Sequence, residues 1–259
     1  MNFKHKKLWL LDMDGTIYID DHLIEGSLEF LKAIENEGGK YVFITNNSSK
    51  SIDNYINKLN NMGIKSDIDS FFTSSQSTIL YIKRNYPNKK VYCMGTKALV
   101  NDLKLSGIDV VTEYADDVGV VLLGYDTELN YQKLIDVCHL LKKDLPYIAT
   151  NPDYLCPGVV SYLPDCGAMS VMLEYAVGRL PHFIGKPSPY IVNDVMEKFH
   201  YTKDQTIIVG DRLYTDIATG QNMGIDTICV LSGEATMEDI NKGQFKPTYI
   251  YDSVKDIPV

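Results

Sequence analysis

Short apolar runs that stop at polar or glycine-containing junctions, each followed by a longer amphipathic stretch, set the rhythm of this chain. The first run, Leu8 to Met13, passes through Asp12 and ends at Asp14-Gly15. An amphipathic stretch from Glu25 to Glu37 follows and closes at Gly38-Gly39, so the pattern predicts strand, loop and helix. The second run, Tyr41 to Ile44, ends at Thr45-Asn46-Asn47-Ser48-Ser49, and a helical spacing carried by Ile52, Tyr55, Ile56, Leu59 and Met62 stops at Gly63. Near the other end, Thr206 to Val209 runs into Gly210-Asp211-Arg212, and Asp226 to Leu231 follows a helix ending near Gly224. Strands alternating with helices of this length imply a parallel sheet covered on both faces. Such sheets keep their chemistry in the loops at the C-terminal strand ends.

The middle of the chain repeats the rhythm separately. Strand-like runs at Lys90 to Met94, Val118 to Leu123 and Tyr147 to Ala149 alternate with helical patterns at Lys97 to Leu105, Tyr131 to Leu141 and Gly167 to Ala176. The expected fold class is therefore α/β: a Rossmann-like parallel-sheet core from residues 1–78 and 181–259, with a second α/β unit inserted as residues 79–180.

Composition narrows the function. The 259 residues are 45% hydrophobic and carry a formal net charge of -9, and no Lys/Arg stripe with interleaved aromatics offsets that field, which argues against nucleic acid as a partner. No window approaches the ~20 consecutive apolar residues of a membrane span, and no secretory signal pattern is visible. Five scattered cysteines without a CxxC pair read as reduced thiols of a cytoplasmic enzyme. An anionic substrate would need concentrated local positive charge, such as a metal ion or a placed lysine.

Asp12-Met13-Asp14-Gly15-Thr16 puts two carboxylates two residues apart at a strand end. At 4 Å and an effective dielectric near 20, two such charges repel by roughly 4 kcal/mol unless a cation or a shared proton intervenes. Oxygen ligands of this kind suit Mg²⁺, and Asp211 and Asp216 would complete its cage. Gly185-Lys186-Pro187-Ser188 is not a P-loop, because Leu180 and Pro187 stand where a glycine and a Ser or Thr are required. The five histidines have no ligand spacing and receive no role.

Asp12-Met13-Asp14-Gly15-Thr16, Thr45-Asn46-Asn47, Gly185-Lys186-Pro187 and Gly210-Asp211 through Asp216 together resemble the four ordered motifs of the haloacid dehalogenase superfamily. Lys186 follows Thr45 by 141 positions, and the gap holds an insertion resembling the α/β cap of the NagD-like, 4-nitrophenylphosphatase subfamily. The resemblance implies a phosphatase acting on a small phosphate monoester. It assigns Asp12 as the nucleophile that becomes an aspartyl phosphate, and Asp14 as general acid and then base. Mg²⁺ is expected on the carboxylates of Asp12 and Asp211 and the main-chain carbonyl of Asp14, with Asp216 holding a metal-bound water. Thr45, Lys186 and the amides around Asn46 and Asn47 are expected to bind the phosphoryl oxygens.

In the cap, Asn151, Asp153, Gly167, Ala168 and Met169 are expected near the leaving group, with a structural turn as the alternative for each segment. Caps of this subfamily often form a dimer surface, which makes a homodimer an expectation. A phosphomutase and a non-enzymatic phosphate-ligand sensor stay open as alternatives. Dehalogenation is disfavoured by Asp14, for which that chemistry has no use.

Overall fold

The computed structural model describes residues 3–157 and 161–259. The chain forms two compact units: Met1–Thr45, Ile52–Phe72 and Lys186–Val259 make the first, and Asn46–Ser51 with Thr73–Gly185 make the second.

The first unit is built on a six-stranded sheet, ordered Phe71–Thr73, Lys40–Thr45, Leu8–Leu11, Thr206–Gly210, Asp226–Val230, Tyr249–Tyr251. Numbered by appearance in the chain, the order is 3-2-1-4-5-6, the doubly wound arrangement with its switch point between the first and fourth strands. Leu8–Leu11 lies parallel to both neighbours, with Leu11 opposite Val209 on one side and Phe43 on the other. Every residue of Leu8–Leu11 and of Thr206–Gly210 is buried, which is why these strands read as continuous apolar runs rather than alternating ones.

On one face, Trp9, Leu11, Phe43, Ile207 and Val209 pack with Phe30, Leu31 and Ile34 of the helix Ser27–Asn36 and with Tyr55 and Leu59 of the helix Ile52–Asn61. Leu8, Leu10, Val42 and Ile208, which alternate to the other face, are also fully buried.

The second unit has a five-stranded sheet, ordered His182–Phe183, Tyr147–Ala149, Val118–Leu123, Lys90–Met94, Val110–Val111, parallel at every pairing. The unit is larger than the pattern predicts: the expected edge at 79 falls inside the helix Ser74–Asn85, and the edge at 180 leaves out the strand His182–Phe183. The helix Ser74–Asn85 opens with Thr73 and Gln76 capping each other, and its Ile79 and Ile82 join Val91, Leu103 and Leu122 in one core. At the other edge His182 and Phe183 pair with Ile148 and Ala149. Residues 46–51 join the same unit through Ser48, whose hydroxyl lies 2.8 Å from that of Thr150 and accepts from the Tyr125 amide at 2.9 Å.

Among the described residues no helix is long and apolar enough to cross a membrane. Trp9 is the single tryptophan and lies at the centre of the first unit's core, so its fluorescence follows that unit. Leu59→Ala, which empties a fully buried site, is expected to cost about 2–5 kcal/mol, read as a lower urea midpoint of Trp9 fluorescence at unchanged slope.

Candidate active site

The register of the first sheet fixes the site. Asp12 follows Leu11 directly, and its amide donates to Val209 O at 2.9 Å. The next residues of that neighbouring strand are Gly210 and Asp211, so strand pairing alone delivers two carboxylates to one sheet edge at the switch point. A π-helical turn at Leu213–Ile217 supplies the third, Asp216. Its extra residue is visible in the Ile217 amide, which donates five residues back to Arg212 O at 3.3 Å. Such turns are frequent where a side chain must be aimed at a site.

Lys186 ties these ends together. Its buried ammonium donates to Asp12 Oδ1 at 2.7 Å, to Asp216 Oδ1 at 2.7 Å and to Ile44 O at 3.2 Å. These three acceptors use its three protons. Burial alone would lower the Lys186 pKa, but the charges of Asp12 and Asp216 and their hydrogen bonds outweigh it and hold the group above the usual lysine range. Lys186 is a fixed positive charge.

Asp211 is held from two sides, with Oδ1 accepting from Thr16 Oγ1 at 3.1 Å and Oδ2 from the Glu234 amide at 2.8 Å. A Cβ on Gly233 would stand 2.0 Å from Asp211 Oδ2, and one on Gly15 would stand 2.5 Å away. Only bare backbone leaves this carboxylate its place. Gly15 also has φ +84°, a conformation L side chains rarely adopt.

Carboxylate oxygens of Asp12, Asp211 and Asp216 all lie within 4.8 Å of one another. Burial, then the charges of Asp12 and Asp216, push the Asp211 pKa up to about 7. Asp216 is also raised, first by burial, with Lys186 opposing. Three carboxylates thus face one ammonium, while Arg212 Nε is 3.0 Å from Glu234 Oε2 in an ion pair without hydrogen-bond alignment. An all-oxygen donor set with an excess of two negative charges fits a hard divalent cation such as Mg²⁺.

Asp14 lies on the exposed side of the same loop, where the buried Tyr18 donates to its Oδ2 at 3.2 Å. Burial, then the Asp14 charge, raises the Tyr18 pKa far above its ordinary value, so the phenol remains a donor.

Thr45 ends its strand, buried within the first unit. Asn46 and Asn47 belong to the second. There Asn46 Nδ2 donates to both oxygens of Asp153 at 3.1 and 3.2 Å, and Asn46 O accepts from Ser74 Oγ at 2.6 Å and Asn151 Nδ2 at 2.8 Å. Asn47 Oδ1 accepts from the Ser49 amide at 2.9 Å. The Gly167 amide donates to Asp153 O at 2.8 Å, and a Cβ on Gly167 would meet Pro152 O at 2.1 Å. Ala168 is partly exposed, while Met169 is buried in the core around Tyr92 and Val121.

The structure therefore gathers Asp12, Asp211, Asp216 and Lys186 at one point of the first unit, and Asn46, Asn151 and Asp153 at one point of the second. The sequence pattern assigns no role to Thr16, Tyr18 or the Ser232-Gly233-Glu234 loop. That loop follows the strand Asp226–Val230, so the strand-end rule that selected Asp12 and Asp211 would have selected it too.

Residues 9–109 match the family model for haloacid dehalogenase-like hydrolases, and residues 183–257 match a second, HAD-hydrolase-like model. The chain is 34% identical to the acid sugar phosphatase of Staphylococcus saprophyticus over 254 residues, 98% of this chain and 97% of the relative. The chain belongs to the haloacid dehalogenase-like hydrolases. Within this family it is 33% identical to the ribonucleotide monophosphatase NagD of Escherichia coli K12, over 96% of this chain and 97% of NagD. The crystal structure of a 4-nitrophenylphosphatase from Thermotoga maritima superposes with a TM-score of 0.93 at 38% identity, covering 98% and 96% of the two chains. The glycerol phosphate phosphatase of Mycobacterium tuberculosis, solved in complex with magnesium, gives 0.91 at 26% identity, covering 98% of this chain and 77% of that one. The NagD-like branch implied by the four motifs is where these relatives lie.

The raised Asp211 pKa has a sign that can be read. Between the ordinary carboxylate value of 3.8 and about 7, the native metal-free protein keeps a proton that the unfolded chain has released, so this group's contribution to stability falls as pH rises through that window. A metal competes with the same proton. The rise in Tm caused by Mg²⁺ is expected to be small well below pH 7 and to grow through pH 7, and Asp211→Asn removes this growth. Differential scanning fluorimetry with and without Mg²⁺ across that range measures it.

Proposed function

We propose that this chain is a Mg²⁺-dependent phosphatase that hydrolyses small phosphate monoesters, such as sugar, nucleotide, phosphoglycolate or aryl phosphates, through an aspartyl phosphate on Asp12. The observation that carries this reading is the placement of Asp12, hydrogen-bonded through Oδ1 to a buried lysine at 2.7 Å and beside the carboxylates of Asp211 and Asp216.

An Asp carboxylate is ionised at neutral pH and so is ready to attack without prior loss of a proton. In the first half-reaction an Asp12 oxygen forms a bond to phosphorus as the bond to the ester oxygen breaks, and Asp14 gives that oxygen its proton. In the second, Asp14 takes a proton from a water that attacks phosphorus, and the bond to Asp12 breaks to release inorganic phosphate. The exposure of Asp14 suits a group that must serve a leaving alkoxide and then a water. Lys186, fixed by Asp216 and Ile44 O, holds the nucleophile in place and sets positive charge beside the phosphoryl group, as Thr45 and the following amides set donors. Asp12, Asp211 and the main-chain carbonyl of Asp14 would hold Mg²⁺, which would supply charge that offsets the repulsion between the carboxylate and the phosphate dianion. Choice among esters is assigned to the inserted unit. Five free cysteines favour a reducing compartment such as the cytoplasm.

Purified protein with Mg²⁺ is expected to release phosphate from p-nitrophenyl phosphate and from members of a sugar-phosphate and nucleotide panel, and EDTA is expected to stop it. Silence toward every ester, the activated aryl phosphate included, would overturn the assignment. Asp12→Asn should lower kcat at least a thousandfold, roughly the scale of nucleophile removal in other enzymes, with Tm retained. Lys186→Ala should cost about 10²–10³ in kcat. Asp14→Asn should cost about 10²–10⁴ on sugar phosphates and much less on the aryl ester, whose leaving group needs no proton.

A further inference from the structure

The second unit carries a sheet whose strands, numbered by appearance in the chain, run 2-1-3-4-5. In a parallel sheet of this order, winding reverses between the first and third strands, and the loops leaving them diverge to open a crevice beyond their C-terminal ends. Those strands are Lys90–Met94 and Val118–Leu123. An open groove of about 680 Å³ lies there, lined by the exposed Lys97, Asn101, Lys104, Thr112, Glu128 and Asn130. This volume falls within the range of small-molecule sites. It is formed wholly by the second unit, and none of its residues belongs to the Asp12 site.

The lining has a definite chemistry. Lys97, Asn101 and Lys104 stand on the helix Lys97–Leu105 at spacings that share one face. Neither the Lys97 nor the Lys104 ammonium has an ion-pair or hydrogen-bond partner among the described residues. In a chain of net charge -9, two unneutralised lysines facing one crevice are a local reversal of the field. Lys133, also on its wall, is committed elsewhere: it donates to Asp126 Oδ2 at 2.7 Å and Gly95 O at 3.0 Å and so ties the two diverging loops together. Glu128 turns its carboxylate onto the Lys97 amide at 3.3 Å. An anionic group is therefore already accommodated at the mouth of this helix, and it is an exposed, displaceable one.

We propose that this crevice is a second ligand site, specific for a small phosphate-bearing metabolite with a polar body, with Lys97 and Lys104 on the phosphate and Glu128 as the internal anion that the ligand displaces. Thr112, Asn101 and Asn130 offer the neutral donors and acceptors that a sugar or nucleoside body requires. The site does not depend on the assignment of Asp12, because a chain without turnover would still bind there.

The test uses the full chain carrying Asp12→Asn, so that no ester is consumed, with AMP and inorganic phosphate as separate probes. Isothermal titration is expected to show two AMP-binding events, one at the Asp12 site that the groove variants leave unchanged and a second that Lys97→Ala with Lys104→Ala weakens at least tenfold and Glu128→Gln tightens several-fold. Lysine acetylation followed by peptide mass analysis should show AMP protecting Lys97 and Lys104. Opposite signs for the lysine and glutamate variants are the signature of an anion site, and a double variant with an unchanged Tm rules out unfolding as the cause. Protection by inorganic phosphate equal to that by AMP would overturn the polar-body specificity. A single AMP-binding event that the lysine variant leaves unchanged, or unaltered Lys97 and Lys104 labelling, would overturn the site.

Discussion

Negative charge held where it would not stay by itself organises the first unit. Carboxylate oxygens of Asp12, Asp211 and Asp216 come within 4.8 Å of one another, and two of the three residues are almost completely buried. Bringing such groups together out of water is costly. The cost is met by Lys186, by the Thr16 hydroxyl and the Glu234 amide on Asp211, and by glycines at 15 and 233 that keep every Cβ away from that carboxylate. A divalent cation would remove the remaining imbalance. The surrounding sheet, the π-helical turn and the return of the chain at Lys186 can all be understood as the means of maintaining this cluster.

Both units use one topological device. A doubly wound parallel sheet opens a crevice where its strand order reverses, and backbone pairing decides which loops meet there. In the first unit the reversal lies between Leu8–Leu11 and Thr206–Gly210, so the loops that meet are acidic. In the second it lies between Lys90–Met94 and Val118–Leu123, and the lining there includes unpaired lysines. The same geometry thus carries opposite fields, one suited to a metal and the other to an anion.

Elements marked by a continuous apolar run or by a clear apolar stripe are the most legible in the sequence. Lys97–Leu105 and Val118–Leu123 have the bounds the pattern predicts, and Leu8–Leu11 and Thr206–Gly210 differ from theirs by one or two residues. The helix Ser74–Asn85 gives no such signal because Ser74, Ser75, Ser77 and Thr78 are buried although polar, and hydrophobic periodicity is blind to hydroxyls that satisfy themselves locally. Thr78 Oγ1 does so by donating to Ser74 O at 2.7 Å. The edge that the pattern predicts at 79 therefore falls inside that helix. The edge predicted at 180 leaves out the strand His182–Phe183, because two residues make no pattern.

The sequence by itself determined the kinds of residue available at each strand end, and hence the acidic cluster, the lysine and the hydrolase family. Those are local properties: a run of buried side chains, a break, and the polar residues that follow it. What only the tertiary structure decided is who meets whom. Asp12 reaches Asp211 because strands nearly 200 residues apart pair in one register. Asp216 reaches Lys186 because a turn takes one extra residue, and Asn46 turns to Asp153 instead of standing free. Lys97 and Lys104 face a crevice only because Val118–Leu123 returns to the far side of Lys90–Met94. Register and strand order are set by the summed packing of both faces of a sheet, and no single segment contains that sum.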